Sequence, residues 1–125
     1  MNCFKKIYIG VWRLSNSRKF EGNFRFGKLE GRGRFDWPGG KMYEGDYKNN
    51  KKHGSGRMIW AESKYYEGAW VNGKQEGTDG KMVWPDKRYY VGEWKRGVPD
   101  GRGTMTWLDG HINEGHWKDG KFLKE

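Results

Sequence analysis

The sequence predicts an all-β protein: an elongated single-layer antiparallel sheet, a meander of about five stacked β-hairpin repeats. Three observations carry this. The tripeptide Phe20-Glu21-Gly22 recurs as Tyr43-Glu44-Gly45, Tyr66-Glu67-Gly68, Tyr90-Val91-Gly92 and Asn113-Glu114-Gly115, at steps of 23, 23, 24 and 23 residues. Inside each unit the aromatic and glycine positions are spaced two apart, the period of a strand. Between such runs stand clusters of Gly, Pro, Asn, Asp and Ser, which punctuate turns.

The elements follow in chain order. Residues 1–19 form an N-terminal segment with half a repeat, since Gly10 stands 23 before Gly33 and Trp12 aligns with Phe35. Repeats occupy 20–42, 43–65, 66–89 and 90–112, and 113–125 is a final half repeat. In the second repeat Tyr43, Gly45 and Tyr47 belong to the first strand. Asn49-Asn50-Lys51-Lys52 form a turn, with Asn50 at the position that requires positive φ. Gly54, Gly56, Met58 and Trp60 belong to the second strand. The third repeat carries the 24-residue step, because Gly77 and Gly80 are three apart where the other glycine pairs are two apart. Thr78 or Asp79 is the insertion, read as a β-bulge. The count comes to about ten strands, with no helical periodicity, and residues 121–125 unassigned.

Alternation sorts two faces. One holds the rings, with Gly45, Gly54 and Gly56 letting them lie flat on the backbone. The other, with Glu44, Asp46, Lys48, Ser55, Arg57 and Ile59, reads as solvated.

Composition limits the function. The chain has 125 residues, a formal net charge of +9, 21 Gly, 8 Trp, 7 Tyr, 6 Phe and 1 Cys. That length suits one small domain. No run reaches the ~20 apolar residues of a membrane-spanning helix, and the N-terminus lacks the apolar stretch of a secretory signal. A single Cys makes no internal disulfide and favours a reducing compartment. Three His and one distant Cys offer no convergent metal ligands. Paired glycines such as Gly31 and Gly33 lead into strands, whereas a phosphate loop leads into a helix. Glu21, Glu44, Glu67 and Glu114 recur with the repeat, as structural groups do. No catalytic residue, metal or cofactor is expected, and neither is an enzyme.

The unit Tyr-Glu-Gly-x-Trp/Tyr, followed by Gly-x-Gly as in Tyr43–Tyr47 with Lys51–Gly56, resembles the MORN (membrane occupation and recognition nexus) repeat. The resemblance runs from about residue 8 to 121. It implies a single-layer sheet of hairpins used as an attachment module that binds protein segments, supports dimers or contacts acidic phospholipids. Catalysis in such proteins comes from other domains.

Two surfaces follow. The expected protein-binding face is the aromatic one, through Tyr43, Tyr47, Trp60, Tyr66, Trp70, Trp84, Tyr90, Trp94 and Trp107, for a partner helix or extended segment. The alternative is peripheral attachment to an acidic phospholipid membrane through Lys28, Lys48, Lys51, Lys52, Lys74, Lys95, Arg96, Lys118 and Lys121 in the turns. Nucleic acid ranks third, because the cations sit in turns rather than among the rings and no nucleic-acid motif is present. Open strand edges around 8–14 and 113–118 suggest a homodimer. The expected location is cytoplasmic, associated with cytoskeleton or membrane.

Overall fold

The computed structural model describes residues 7–14 and 16–124. Cys3 lies outside the described residues. Eleven strands follow one another: β1 (Ile7–Arg13), β2 (Lys19–Arg25), β3 (Lys28–Asp36), β4 (Met42–Lys48), β5 (Lys51–Ile59), β6 (Tyr65–Val71), β7 (Lys74–Val83), β8 (Tyr89–Lys95), β9 (Val98–Thr106), β10 (Ile112–Lys118) and β11 (Lys121–Lys124). They form one sheet in chain order, each strand antiparallel to the next. The eleventh strand is the one the period did not reveal. After Asp119-Gly120 the chain folds back, and Phe122 pairs with Trp117. The C-terminal edge is therefore β11, and residues 113–118 are not the open edge that the sequence suggested.

Each repeat closes on a two-residue turn, as shown by the pairs Lys48–Lys51 and Val71–Lys74. Both central residues take positive φ: 50° and 70° at Asn49 and Asn50, 50° and 92° at Arg96 and Gly97. This is the type I′ geometry, whose twist matches that of the flanking strands. The loops between repeats are longer. In each, a backbone N–H reaches the carbonyl four residues on: that of Leu14 in the first loop and of a tryptophan in the other four, as in Trp60 to Lys64 (2.8 Å) and Trp84 to Arg88 (3.0 Å).

Every complete hairpin is also irregular. Gly45 faces Gly56, but Tyr47 faces Lys52, so β5 carries extra residues across one stretch of β4. Gly54 lies in this stretch at φ 111°. A side chain there would strike the carboxylate of Asp46, not a ring. That carboxylate accepts the Ser55 N–H at 3.1 Å, as the Glu93 carboxylate accepts the Arg102 N–H at 3.0 Å. The sequence reading of Gly54 as ring-bed glycine is thus corrected: its role is to hold a bulge. Gly56 does lie beneath a ring, for a Cβ there would overlap the Tyr43 phenol. The 24-residue step is a further bulge, since Gly77 faces Trp94 and Gly80 faces Gly92.

The core is a zigzag of rings on one face, filled in by Leu29, Met58, Met82 and Met105. Edge-to-face contacts run from Trp12 through Phe24, Phe20, Tyr47, Tyr43, Trp70, Tyr66, Trp94 and Tyr90 to Trp117, with centroids 5.0–6.3 Å apart and planes at 74–89°. Such pairs contribute ~0.5–1.5 kcal/mol each beyond area burial. Polar tips are satisfied by backbone. Tyr43, Tyr66 and Tyr90 hydroxyls donate to the carbonyls of Asp46, Ala69 and Glu93 at 2.9 Å. Trp70, Trp94 and Trp117 indoles donate to Gly56, Gly80 and Gly103 carbonyls at 3.2, 3.0 and 3.0 Å.

Candidate binding surfaces

The ring face divides into a sealed part and an open part. Tyr43, Tyr66 and Tyr90 have no exposed surface, and Tyr47, Trp70 and Trp94 keep 6 % or less. These six predicted contact residues are packing, with no surface to offer in this chain. Trp60, Trp84 and Trp107 are half-buried against the core, together with Trp37, which holds the same register. These four indoles stand at the start of the loops between repeats, about two strand spacings apart, or ~10 Å.

Three of the four indoles carry a cation from their own loop, and Trp107 takes one from the loop before it. Lys41 Nζ lies 4.6 Å from the Trp37 ring centroid and Lys64 Nζ 4.6 Å from Trp60. The Arg88 guanidinium lies 4.8 Å from Trp84 and 5.4 Å from Trp107, with His111 stacked on Trp107 at 5.5 Å. The structure thus places cations among the rings, where the sequence reading had put them mainly in the turns.

Lys52 is the largest such departure. Assigned to the rim from sequence, it sits on the ring face, its ammonium 5.5, 5.6 and 5.9 Å from the centroids of Trp70, Tyr43 and Trp37. The tight two-residue turn makes it the second residue of β5, directly opposite Tyr47 and so on the ring face. Burial, and then the nearby Lys41, hold its pKa below the usual lysine value.

The other rim cations do line the turn edge. Lys28, Lys48, Lys51, Lys74, Lys95, Arg96, Lys118 and Lys121 are exposed there. Lys48 directly faces Lys51, Lys118 faces Lys121, and Arg25 faces Lys28. Like charges so placed oppose folding by tenths of a kcal/mol, of order ~0.2–1. Successive turns are tied by one recurring acceptor. Glu30 accepts the Asn49 N–H at 3.2 Å, His53 Nδ1 that of Asn72 at 3.3 Å, Glu76 that of Arg96 at 3.1 Å, and Asp100 that of Asp119 at 3.1 Å. The Asp119 N–H, and the Lys118 ammonium 3.7 Å away, hold the Asp100 carboxyl below the usual carboxylate range.

The opposite face is not simply solvated. Across the strands it carries the ladder Glu21, Arg34, Glu44, Arg57, Glu67, Lys81, each facing the next. Arg57 and Glu67 approach to 3.6 Å. Beside it runs an apolar row in which Met42 faces Ile59, Ile59 faces Tyr65, Tyr65 faces Val83 and Val83 faces Tyr89. Exposed large apolar side chains among the described residues concentrate here, including Ile9, Val11, Tyr89, Val91 and Ile112.

Among the described residues, no group of three or more His, Cys, Asp or Glu side chains is placed to hold a metal ion. The paired glycines lie within strands, Gly31 and Gly33 in β3 and Gly54 and Gly56 in β5, and no α-helix follows them among the described residues to receive a phosphate. What the geometry defines is a one-layer antiparallel β-repeat ribbon with binding surfaces along its length. The MORN repeat family model matches residues 20–42, 43–63, 66–87, 90–112 and 114–122, and the chain belongs to that family. Its repeats are binding and scaffold units. Comparison with curated proteins returned no match.

Proposed function

We propose that this chain is a non-enzymatic scaffold that captures a protein segment, helical or extended, along its row of half-buried tryptophans. The observation that supports this is the regular series Trp37, Trp60, Trp84 and Trp107, each half-buried against the core with a cation over its ring, Trp107 being stacked on His111 as well. Aromatic side chains in such settings dominate binding energy. The cations Lys41, Lys64 and Arg88 fit a segment that carries acidic residues between its apolar ones.

The test begins with capture by the intact chain, identification of the segment, and titration against Trp84→Ala and Trp107→Ala. Each substitution is expected to weaken binding at least ~10-fold while the β-sheet circular dichroism stays intact. Unchanged affinity in both variants would remove this face from consideration.

A second reading, attachment to an anionic membrane, is favoured by the like-charge pairs flanking the turns. Anionic headgroups would relieve that repulsion, at ~1 kcal/mol per cation near the surface. It predicts sedimentation with phosphatidylserine vesicles at low salt, reversed by ~0.5 M salt, where the Debye length has shrunk to a few ångströms. Lys48→Glu with Lys51→Glu should lower vesicle binding and leave segment capture unaffected.

A further inference from the structure

The ladder and apolar row on the face opposite the rings have a property that neither binding surface uses. Reading across strands β2 to β7, the ladder is Glu21, Arg34, Glu44, Arg57, Glu67, Lys81. Read backwards, every position has the opposite sign. From this we infer that the face docks on the same face of a second copy of the chain, about a two-fold axis parallel to the strands and passing between β4 and β5.

That axis sets Glu44 against Arg57 of the second copy, Arg34 against its Glu67, and Glu21 against its Lys81. Of the alternative registers, only this one pairs all six charges. It also sets the uncharged Val11 of β1 against Val91 of β8, both about half-exposed at 53 % and 39 %. In the adjacent row it places Met42 against Ile59 of the second copy at the axis, and farther out Asp36, which Arg34 holds at 3.1 Å, against Tyr65 and Lys19 against Val83. At the turn edge, Lys48 meets Lys51 of the second copy.

The size fits. Strands β1 to β8 span ~38 Å at ~4.8 Å each, and about seven residues along each strand span ~23 Å. The face therefore offers ~900 Å² per copy, against the ~800 Å² per partner of a standard stable interface. Symmetric pairing through one self-complementary patch is the commonest form of protein assembly.

The experiment is sedimentation equilibrium of the full chain with a pair of charge reversals. Wild type is expected to be a dimer at ~50 µM, a concentration at which a low-micromolar interface is populated. Glu44→Arg alone sets arginine against Arg57 of its copy, and Arg57→Glu alone sets glutamate against Glu44, so each variant should be a monomer. Mixed in equal amounts they restore every charge pair between chains and should form a mixed dimer. A second measurement needs no variant. Zero-length carbodiimide crosslinking of wild type should join Glu21 to Lys81. These lie five strands apart in one chain, ~24 Å, so the bond can form only between copies. A monomeric wild type, folded variants that remain dimeric alone, a mixture that stays monomeric, or a dimer without the Glu21–Lys81 crosslink each overturns the inference. The last outcome points to edge pairing instead.

Discussion

A ring lying on a one-layer sheet needs a place on the backbone where no side chain stands. Gly56 supplies it for Tyr43, Gly103 for Tyr90 and Gly33 for Phe20. Gly56→Ala forces the phenol off its bed and breaks its hydrogen bond to the Asp46 carbonyl. The expected cost is ~2–4 kcal/mol by urea denaturation, the scale of core overpacking plus a lost polar contact. Gly110→Ala is the control. It has positive φ, 93°, but open space around it, so only backbone strain of ~1–2 kcal/mol applies. Equal losses at the two positions would refute the ring-bed account. The same burial fixes an alkaline response. It raises the pKa of Tyr43, Tyr47 and Tyr66 well above the usual tyrosine value and that of Tyr90 to about 12. An unfolded tyrosine ionises near ~10, so above that pH the unfolded state binds fewer protons than the folded one. Stability is therefore complete below pH ~10 and falls as pH rises, by up to ~1.4 kcal/mol per pH unit for each buried tyrosine. Lys52, with its lowered pKa, acts in the opposite direction as a single group. Urea midpoints between pH ~9 and ~11 measure the balance, and a flat profile would contradict it.

The hairpin is the unit in which the glycines acquire different duties. Gly54 and Gly101 hold bulges against Asp46 and Glu93, whereas Gly56 and Gly103 bed rings. In the third repeat the bulge holds one more residue, between Gly77 and Gly80, and Thr78 and Asp79 there are exposed. Deleting Asp79 restores the 23-residue step and removes no packed side chain. Stability should change by no more than ~1 kcal/mol, with the Trp94 fluorescence environment retained, and loss of the fold would show that the insertion has spread through β7. The strands, turns and ring ladder were legible in the sequence because each repeats with a fixed residue type at a fixed spacing. The extra residue at 78–79 was legible too, through the 24-residue step, but the bulge common to every hairpin was not, because Gly54 and Gly56 stand two apart just as regular strand positions do. Lys52 was misplaced for a different reason: it was counted as a turn residue, whereas the turn is two residues long and Lys52 is already in β5, facing Tyr47. The turn-tying acceptors were hidden by changing chemistry, since glutamate, histidine and aspartate serve one role at positions 30, 53, 76 and 100. The apolar row escaped because no single strand displays it. Met42, Ile59, Tyr65 and Val83 are neighbours only once register is known.

At the scale of the molecule the chain is a one-dimensional array. Every strand pairs only with its neighbours in sequence, and the rings form a single file along them. In such an array stability is a sum of repeat terms and nearest-neighbour junctions, and one weakened junction can uncouple what lies on either side. Trp70 occupies a central junction. It touches Tyr43 at 5.5 Å and Tyr66 at 5.2 Å, and its indole donates to the Gly56 carbonyl at 3.2 Å. Trp12 stands at one end, half-exposed at 47 %, with a contact to Phe24 at 6.3 Å. Trp70→Ala removes ~3–5 kcal/mol of packing from one place. Trp12→Ala removes less and cuts nothing in two. Native-state hydrogen exchange separates the cases. In wild type the amides of β4 and β8 should share one high opening free energy, with protection declining toward β1 and β11. In Trp70→Ala the β4 amides should open at lower free energy than those of β8, because the block from β1 to β5 can now unfold while β6 to β11 stays paired. Trp12→Ala should leave β4 and β8 together. If the two strands still exchange as one unit after Trp70→Ala, the cooperativity resides in the backbone ladder and not in the file of rings.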